Sequence, residues 1–231
     1  MAIVSACIVT NIIDINKDVK KFRLKLAKPI SYEPGQFLHL TTELVSASDY
    51  WPTSRAFSIA SYSTNVDDEI EVYIKNNGGY TKEVMESLHI GSMCTVKYPY
   101  GDFILPELKP NTKIVGICNG VGITPLLSIL DYMSKTNQQD QFYLHYSIRN
   151  LEEIIGKEKI EKIASDHLAL NVTRQNTKHF NNRRIDSPDF VGNYDPDNTY
   201  FFVSGSNQFI QDMQEKLLAL GYTKIIVDSW R

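Results

Sequence analysis

Cysteine is scarce in this 231-residue chain, and its three cysteines lie far apart. They are Cys7, Cys94 and Cys118, and no Cys-x-x-Cys pair occurs. An odd number of scattered cysteines argues against a disulfide framework and suits a reducing compartment. Without a Cys-x-x-Cys pair, an iron–sulfur cluster or a structural zinc site within the chain is not expected. The five histidines show no i, i+4 pairing, so the sequence predicts no metal site.

Long apolar runs and an excess of charge of either sign are also absent. No stretch approaches the roughly 20 apolar residues of a membrane span, and no signal peptide precedes the first predicted strand. The formal net charge of −3 gives no electrostatic reason to expect binding to nucleic acid or to an anionic membrane. We therefore expect a cytoplasmic protein without a transmembrane segment and without a nucleic acid partner.

The two halves of the chain differ in hydrophobic pattern, and an apolar fraction of 42% permits a substantial core. In the first half, short alternating runs separated by turn signals are typical of an antiparallel β-barrel. After Pro110, strands alternate with helices, two of which are predicted over 151–164 and 208–220. That alternation predicts an α/β domain with a parallel sheet. We place the domains at 1–107 and 108–231.

The stretch from Lys113 to Leu130 is the most informative one. An apolar strand is followed by three glycines and then by a helix that opens at Thr124-Pro125. A glycine turn lets the backbone approach a diphosphate, while the helix N-terminus supplies unpaired N–H groups and partial positive charge. A tight strand–helix connection without a ligand gives the same pattern. The turn falls, however, at the carboxyl end of a predicted parallel strand, where such sheets bind ligands.

Two stretches in the first half carry groups suited to a phosphate or a flat ring system. In Arg55-Ala-Phe-Ser58, an extended strand places Arg55 and Phe57 on one face. A guanidinium binds phosphate in a bidentate way, and an aromatic ring can lie against a flat ring system. An exposed arginine beside a core phenylalanine is the alternative interpretation. In Gly78-Gly-Tyr-Thr81, glycines lead to Thr81 as a predicted N-cap, either as a second anion site or as an ordinary turn.

A competing enzyme class rests on Gly116-Ile-Cys118-Asn-Gly120, which has the outline of a nucleophile elbow. Cys118 would be the nucleophile, with His167 or His179 as its base. This interpretation leaves the Arg55 and Gly78 stretches unexplained. A small buried cysteine explains the same residue.

Seven motifs in family order make the chain resemble the ferredoxin–NADP reductase superfamily of flavin oxidoreductases over nearly its full length. They are Pro34-Gly-Gln-Phe37, Arg55-Ala-Phe-Ser58, Gly78-Gly-x-Thr81, Gly91 with Pro99-x-Gly101-x-Phe103, Gly120-x-Gly122-Ile-Thr-Pro125, Ser204-Gly-Ser206 and Asp228-Ser-Trp230. The resemblance implies a FAD-binding antiparallel β-barrel followed by an NAD(P)-binding α/β domain.

The resemblance also assigns roles. Arg55 would hold the flavin phosphate, Phe57 would lie on the isoalloxazine and Ser58 would hydrogen-bond near N5. The FAD-binding set is Arg55, Ala56, Phe57, Ser58, Tyr73, Ile74, Gly78, Gly79, Tyr80 and Thr81. The nucleotide-binding set is Gly120, Gly122, Thr124, Arg149, Arg174, Gly205 and Ser206. The resemblance assigns the catalytic positions to Ser58, Ser204 and Trp230.

The chain departs from the family pattern at three positions. Phe57 stands where tyrosine is more frequent, Asn119 where glycine is frequent, and Ser204 where the plant-type branch has cysteine. Phe57 can still stack but lacks a hydroxyl that could bond the ribityl chain. The serine at 204 should not abolish hydride transfer, because the flavin performs that chemistry and the protein supplies orientation. Trp230 would cover the flavin face or the adenine, unless it is a surface residue at a frayed terminus.

The expected function is transfer of hydride from NADPH or NADH to bound FAD, and of electrons onward to a separate acceptor. That acceptor is a ferredoxin, a flavodoxin, an oxygenase component or free flavin. Arg149, Thr173 and Arg174 follow strand ends and suit a 2′-phosphate, which slightly favours NADPH, whereas Arg183-Arg184 fits a solvated turn equally well. A non-catalytic flavin- or nucleotide-binding subunit or sensor is the alternative.

Overall fold

The computed structural model describes residues 2–63, 66, 68–164 and 166–228. Its strands are β1 (Ile3–Asn16), β2 (Val19–Leu26), β3 (Phe37–Thr41), β4 (Arg55–Ser58), β5 (Glu69–Lys75), β6 (Met93–Tyr100), β7 (Lys113–Asn119), β8 (Phe142–Ile148), β9 (Leu168–Val172), β10 (Thr199–Ser204) and β11 (Ile225–Val227). Its α-helices are α1 (Gly79–Ser87), α2 (Thr124–Lys135), α3 (Lys157–Ile160) and α4 (Asn207–Ala219). In the described part of the chain, no helix is both long and apolar enough to cross a membrane.

The first six strands form one antiparallel sheet in the order β4-β3-β6-β1-β2-β5. Alternate residues of β2, among them Phe22 and Leu24, are fully buried against the inner faces of the other strands. The segment after β4 returns to β5 through a hydrogen bond from Ala60 N–H to the Glu71 carbonyl at 2.8 Å. The sheet therefore curls into a nearly closed barrel, as its alternating pattern predicts.

The last five strands form a parallel sheet in the order β11-β10-β7-β8-β9. Its central strand β7 is buried from Ile114 to Cys118 because helices cover both faces. Helix α2 packs Leu126, Ile129 and Met133 on one face, and α4 packs on the other. The predicted parallel α/β sheet is confirmed.

Two helices differ from the sequence predictions, whereas α2 begins at Thr124 as predicted. The predicted helix over 151–164 is reduced to a 3-10 turn at Leu151–Glu153 and to the single turn of α3. Gly156 separates these two because its φ is +71°. Helix α1 begins at Gly79, so Thr81 lies in its first turn and Gly78 takes the N-cap position. A 3-10 turn at Gly120–Ile123 precedes α2.

Polar contacts join the barrel to the α/β sheet beside the end of β4. The buried Gly35 N–H donates to Ser128 Oγ at 2.8 Å. Lys159 Nζ donates to the Ala60 carbonyl at 2.8 Å and pairs with Asp131 at 2.6 Å. Because Ala60 lies two residues after β4, these contacts hold the end of that strand against the second domain.

Candidate functional site

A cleft of about 1620 Å³ lies between the barrel and the carboxyl edge of the parallel sheet. This volume exceeds the roughly 300–1,000 Å³ of a site for one small ligand. The cleft brings together sixteen predicted residues: Arg55, Ala56, Phe57, Ser58, Tyr73, Gly78, Gly79, Tyr80, Thr81, Gly120, Gly122, Thr124, Arg149, Arg174, Gly205 and Ser206. Ser204 lines it as well. It therefore has room for two extended ligands that meet.

Two predicted residues are not in this set. Ile74 is fully buried in the barrel core, because side chains alternate along β5 and its neighbours Tyr73 and Lys75 line the cleft. Any role of Ile74 at the cleft would use its backbone. Trp230 lies outside the described residues.

Strand β4 presents a cation and a hydroxyl to the barrel side of the cleft. The exposed Arg55 guanidinium lies 5.6 Å from the centre of the Tyr80 ring, and its Nη1 donates to the Ser54 carbonyl at 2.9 Å. Phe57 is 8% exposed. Ser58 is buried, and its Oγ has no hydrogen-bond partner among the described residues. A buried hydroxyl that lines a cleft without a partner fits a ring nitrogen of a bound flavin.

The turn before α1 forms an open cradle. Gly78 and Gly79 have φ values of +78° and +51°, and a Cβ added at either would meet nothing within 4 Å. Thr81 Oγ1 donates to the Gly78 carbonyl at 2.9 Å and accepts from Asn77 N–H at 3.0 Å. The threonine hydroxyl thus shapes the turn. The first-turn N–H groups of α1 have no intrahelical acceptor, which suits a phosphate.

The glycine turn after β7 is supported from beneath. The Tyr146 hydroxyl donates to the Gly120 carbonyl at 3.0 Å and accepts from Ile155 N–H at 3.3 Å. Gly120 has a φ of +51° and open space around it, as a turn that approaches a ligand requires. Sequence reasoning missed Tyr146, because it reads as an ordinary apolar position in a buried strand and is fully buried.

The turns after β7 and β10 lie against each other, because β10 and β7 are neighbours in the sheet. A Cβ added at Gly122 would lie 2.6 Å from both the Cα and the N of Gly205. Asn119 Oδ1 accepts the Ser206 N–H at 3.1 Å. The two predicted nucleotide turns therefore act as one surface at the carboxyl edge of the sheet.

Ser204 forms a buried pair with Asp228. The Ser204 hydroxyl donates to Asp228 Oδ2 at 2.9 Å, and the two residues are 1% and 7% exposed. Burial raises the pKa of the Asp228 carboxyl to about 6, and the hydrogen bond from Ser204 opposes that rise. Sequence analysis identified Asp228 only as part of a terminal motif, because its pairing with Ser204 joins residues 24 apart.

Arginines lie at the far side of the cleft. Arg149, Arg174 and Arg184 are exposed, line the cleft and have no ion-pair partner among the described residues. Arg183 also lines it, but its guanidinium is held by both oxygens of Asp189. The first three are therefore available to an anionic ligand, whereas Arg183 supports its own loop.

The geometry opposes the nucleophile-elbow alternative. Cys118 is 0% exposed and packs in the core beneath the sheet. Burial raises the pKa of its thiol well above the ordinary value, so the reactive thiolate is disfavoured. Cys118 is a small core residue.

Comparison with known families agrees with this architecture. Residues 6–104 match the oxidoreductase FAD-binding domain, and residues 117–215 match the oxidoreductase NAD-binding domain. Among solved structures, the FAD/NAD-binding domain of a nitric oxide dioxygenase from Vibrio cholerae superposes with a TM-score of 0.83 at 19% identity, covering 97% of each chain. A ferredoxin NADP+ reductase from Neisseria gonorrhoeae, solved with FAD and NADP, gives 0.77 at 20% identity and covers 98% of each chain. These similarities show the fold.

Sequence relatives include reductase components of oxygenase systems. The ferredoxin–NAD(P)+ reductase component of a Pseudomonas putida naphthalene 1,2-dioxygenase system is 27% identical over 67% of this chain and 45% of its own length. The glycine betaine monooxygenase reductase subunit of Chromohalobacter salexigens is 30% identical over 64% and 40%, respectively. The match thus spans less than half of each of these relatives. With both domain families matched in order and the two-domain fold shared, the chain belongs to the ferredoxin–NADP reductase superfamily of flavin oxidoreductases.

Proposed function

We propose that this chain is an NAD(P)H-dependent flavin oxidoreductase, which takes hydride from NADPH or NADH onto FAD and passes electrons to a separate acceptor. The observation that carries the proposal is the cleft that the Ser58 hydroxyl of the barrel shares with the two packed turns of the α/β domain; this hydroxyl has no hydrogen-bond partner in the described part of the chain. A donor and an acceptor of hydride must meet within contact distance. With FAD on the barrel and the nicotinamide nucleotide on the α/β domain, a cleft shared by both domains allows this contact.

The residues of the barrel fit FAD. Arg55 and the first-turn N–H groups of α1 would hold its phosphates, and the Ser58 hydroxyl would donate to its ring. When bound, FAD supplies the ring that accepts a hydride and releases its electrons. Phe57 and Tyr73 would exclude water from one side of that ring.

The residues of the α/β domain fit the nicotinamide nucleotide. The open turn at Gly120 and the N-terminal turn of α2 with Thr124 would approach its diphosphate. Gly205 and Ser206 would flank the nicotinamide. Ser204 and Asp228 form the buried polar pair beside that position. Trp230 retains its predicted role at the flavin or the adenine.

The preferred reductant is NADPH. Arg149 and Arg174 lie at the ends of β8 and β9, and neither guanidinium has an ion-pair partner among the described residues. A guanidinium binds a phosphate dianion more strongly than it binds a ribose hydroxyl. Their placement supports the slight preference for a 2′-phosphate. NADPH should therefore give a higher kcat/KM than NADH. Arg174→Ala should reduce the ratio of kcat/KM for NADPH to kcat/KM for NADH.

The electron acceptor is a separate protein or a small molecule. Relatives are named as reductase components of oxygenase systems, which supports an oxygenase component or a ferredoxin as the acceptor. Flavodoxin and free flavin are the other candidates. We also propose that the domains divide between residues 107 and 108, and that the protein works in the cytoplasm.

The test is anaerobic reduction of the purified, FAD-loaded protein. NADPH or NADH should bleach the flavin absorbance, and an acceptor should restore it. Flavin that binds but resists both nucleotides would favour the non-catalytic binding module instead. Failure to bind added FAD would overturn both interpretations. A panel of acceptors then ranks the partners by turnover rate.

A further inference from the structure

Asn119 joins two turns that are far apart in sequence. It is the last residue of β7, and its Oδ1 accepts the backbone N–H of Ser206, 87 residues later, at 3.1 Å. Ser206 occupies the N-cap position of α4, where the first N–H groups lack intrahelical partners. One amide oxygen therefore ties the turn before α2 to the turn before α4.

Steric contacts make the same connection. A Cβ added at Gly205 would lie 2.2 Å from Asn119 Oδ1, closer than any real contact. The amide of Asn119 thus occupies the space that a side chain at 205 would need. A Cβ added at Gly122 would also lie 2.6 Å from the Cα and the N of Gly205. Gly205 is therefore in close contact with both Asn119 and Gly122, so the position of the second turn follows the position of the first.

The other end of the amide is available to a ligand. Because Oδ1 faces an N–H donor, the assignment of the amide is settled and Nδ2 is the opposite atom. Nδ2 has no hydrogen-bond acceptor among the described residues, and the partly exposed Asn119 lines the cleft. A glycine at this position would supply neither the link nor the donor.

We propose that Asn119 is a positioning residue that couples the turn at 119–122 to the turn at 204–206 and thereby sets where the nicotinamide lies. This inference rests on the proposed function, because it concerns the reductant that both turns would bind. Asn119 acts through Ser206 and Gly205 and takes no part in the transfer of hydride. Asn119 therefore affects how the bound nucleotide is placed. Its loss should lower the limiting rate of flavin reduction more than it lowers the affinity for the nucleotide.

The experiment compares Asn119→Ala with Asn119→Asp, both loaded with FAD. N119A should lower the limiting rate of flavin reduction by NADPH about tenfold, because small displacements of the reacting groups slow transfer strongly. Its affinity for NADP+, measured by calorimetry, should change less than about threefold. The change in flavin absorbance on saturation with NADP+ should shrink, which reports the placement of the nicotinamide without turnover. N119D keeps the acceptor oxygen and should recover most of the limiting rate and of the absorbance change.

Asn16→Ala is the matched control. Asn16 Oδ1 accepts Asp18 N–H at 3.0 Å in an exposed turn of the barrel, so N16A removes the same type of bond at a residue that does not line the cleft. It should leave all three measurements unchanged. Wild-type values for N119A, or equal losses in N119A and N119D, would overturn the coupling role. Wild-type protein that neither nucleotide reduces would overturn the proposed function itself, and with it this inference.

Discussion

The cleft is lined by two kinds of glycine turn, and they differ in what their glycines are for. In the barrel turn, Gly78 and Gly79 have left-handed φ values and open space where a Cβ would be. In the α/β turns, Cβ atoms at Gly122 or Gly205 would overlap neighbouring protein atoms. The barrel glycines, like Gly120 of the α/β domain, allow a backbone conformation and the approach of a ligand, whereas Gly122 and Gly205 allow two turns to pack together. The same sequence pattern thus serves two physical needs.

Among the variants considered, Gly122→Ala should have the largest effect on activity. Its Cβ would lie 2.6 Å from backbone atoms of Gly205, and backbone cannot move aside as a flexible side chain can. We expect kcat/KM for NADPH to fall about 100-fold because the two turns separate. FAD content, measured by absorbance after gel filtration, should stay at the wild-type level.

The matched control for G122A is Gly221→Ala, at a position with open space beyond the end of α4. Its φ of +86° disfavours alanine, so it should lower thermal stability without changing kcat/KM. A G122A enzyme with unchanged kinetics would show that the close approach of the turns is irrelevant to nucleotide binding.

Arg55→Ala tests the charge on the barrel side and should have the next largest effect. An exposed guanidinium above Tyr80 is placed for phosphate, and a charge-assisted hydrogen bond contributes about 2 kcal/mol. The dissociation constant of FAD should therefore rise about 30-fold, as followed by quenching of flavin fluorescence. The dissociation constant of FAD for Arg55→Lys should lie between those of the wild type and R55A, because lysine keeps the charge and loses the bidentate geometry. Unchanged FAD affinity in R55A would remove Arg55 from the site.

Gly79→Ala should have a smaller effect, confined to the flavin. Alanine at a φ of +51° is strained by about 1 kcal/mol, but its Cβ meets nothing in the protein. FAD affinity should fall about fivefold, and the KM for NADPH of the FAD-loaded enzyme should not change. A change in the KM for NADPH without a change in FAD affinity would contradict the assignment of the barrel turn to the flavin and of the α/β turns to the nucleotide.

Asp228→Asn tests a different kind of effect, a dependence of stability on pH that belongs to the α/β side. The folded pKa of about 6 lies above the ordinary 3.8, so the unfolded chain releases this proton first as pH rises. The free energy of unfolding should therefore decrease between about pH 4 and pH 6, by at most about 3 kcal/mol. In D228N that decrease should disappear. If the stabilities of the wild type and D228N, measured by thermal melting, changed equally with pH across this range, the raised pKa of Asp228 would be contradicted.

The amino-acid sequence by itself determined the two domains, the barrel and parallel-sheet classes, and the stretches that line the cleft. Each depends on local pattern: alternation, glycine turns before helices, or a short motif. Local pattern was insufficient where the backbone departs from it, as at Ile154, which is extended, and at Gly156, which has a φ of +71°, inside the helix predicted over 151–164. The roles of the predicted site residues stay predictions that the variants above test.

Only the tertiary structure decided how the site is held together. The link from Asn119 to Ser206, the support of Gly120 by Tyr146 and the pairing of Ser204 with Asp228 join residues distant in sequence. These contacts exist because β7 lies between β10 and β8, an order that no local periodicity encodes. Long-range packing also buried the carboxyl of Asp228, and burial is what raises its pKa.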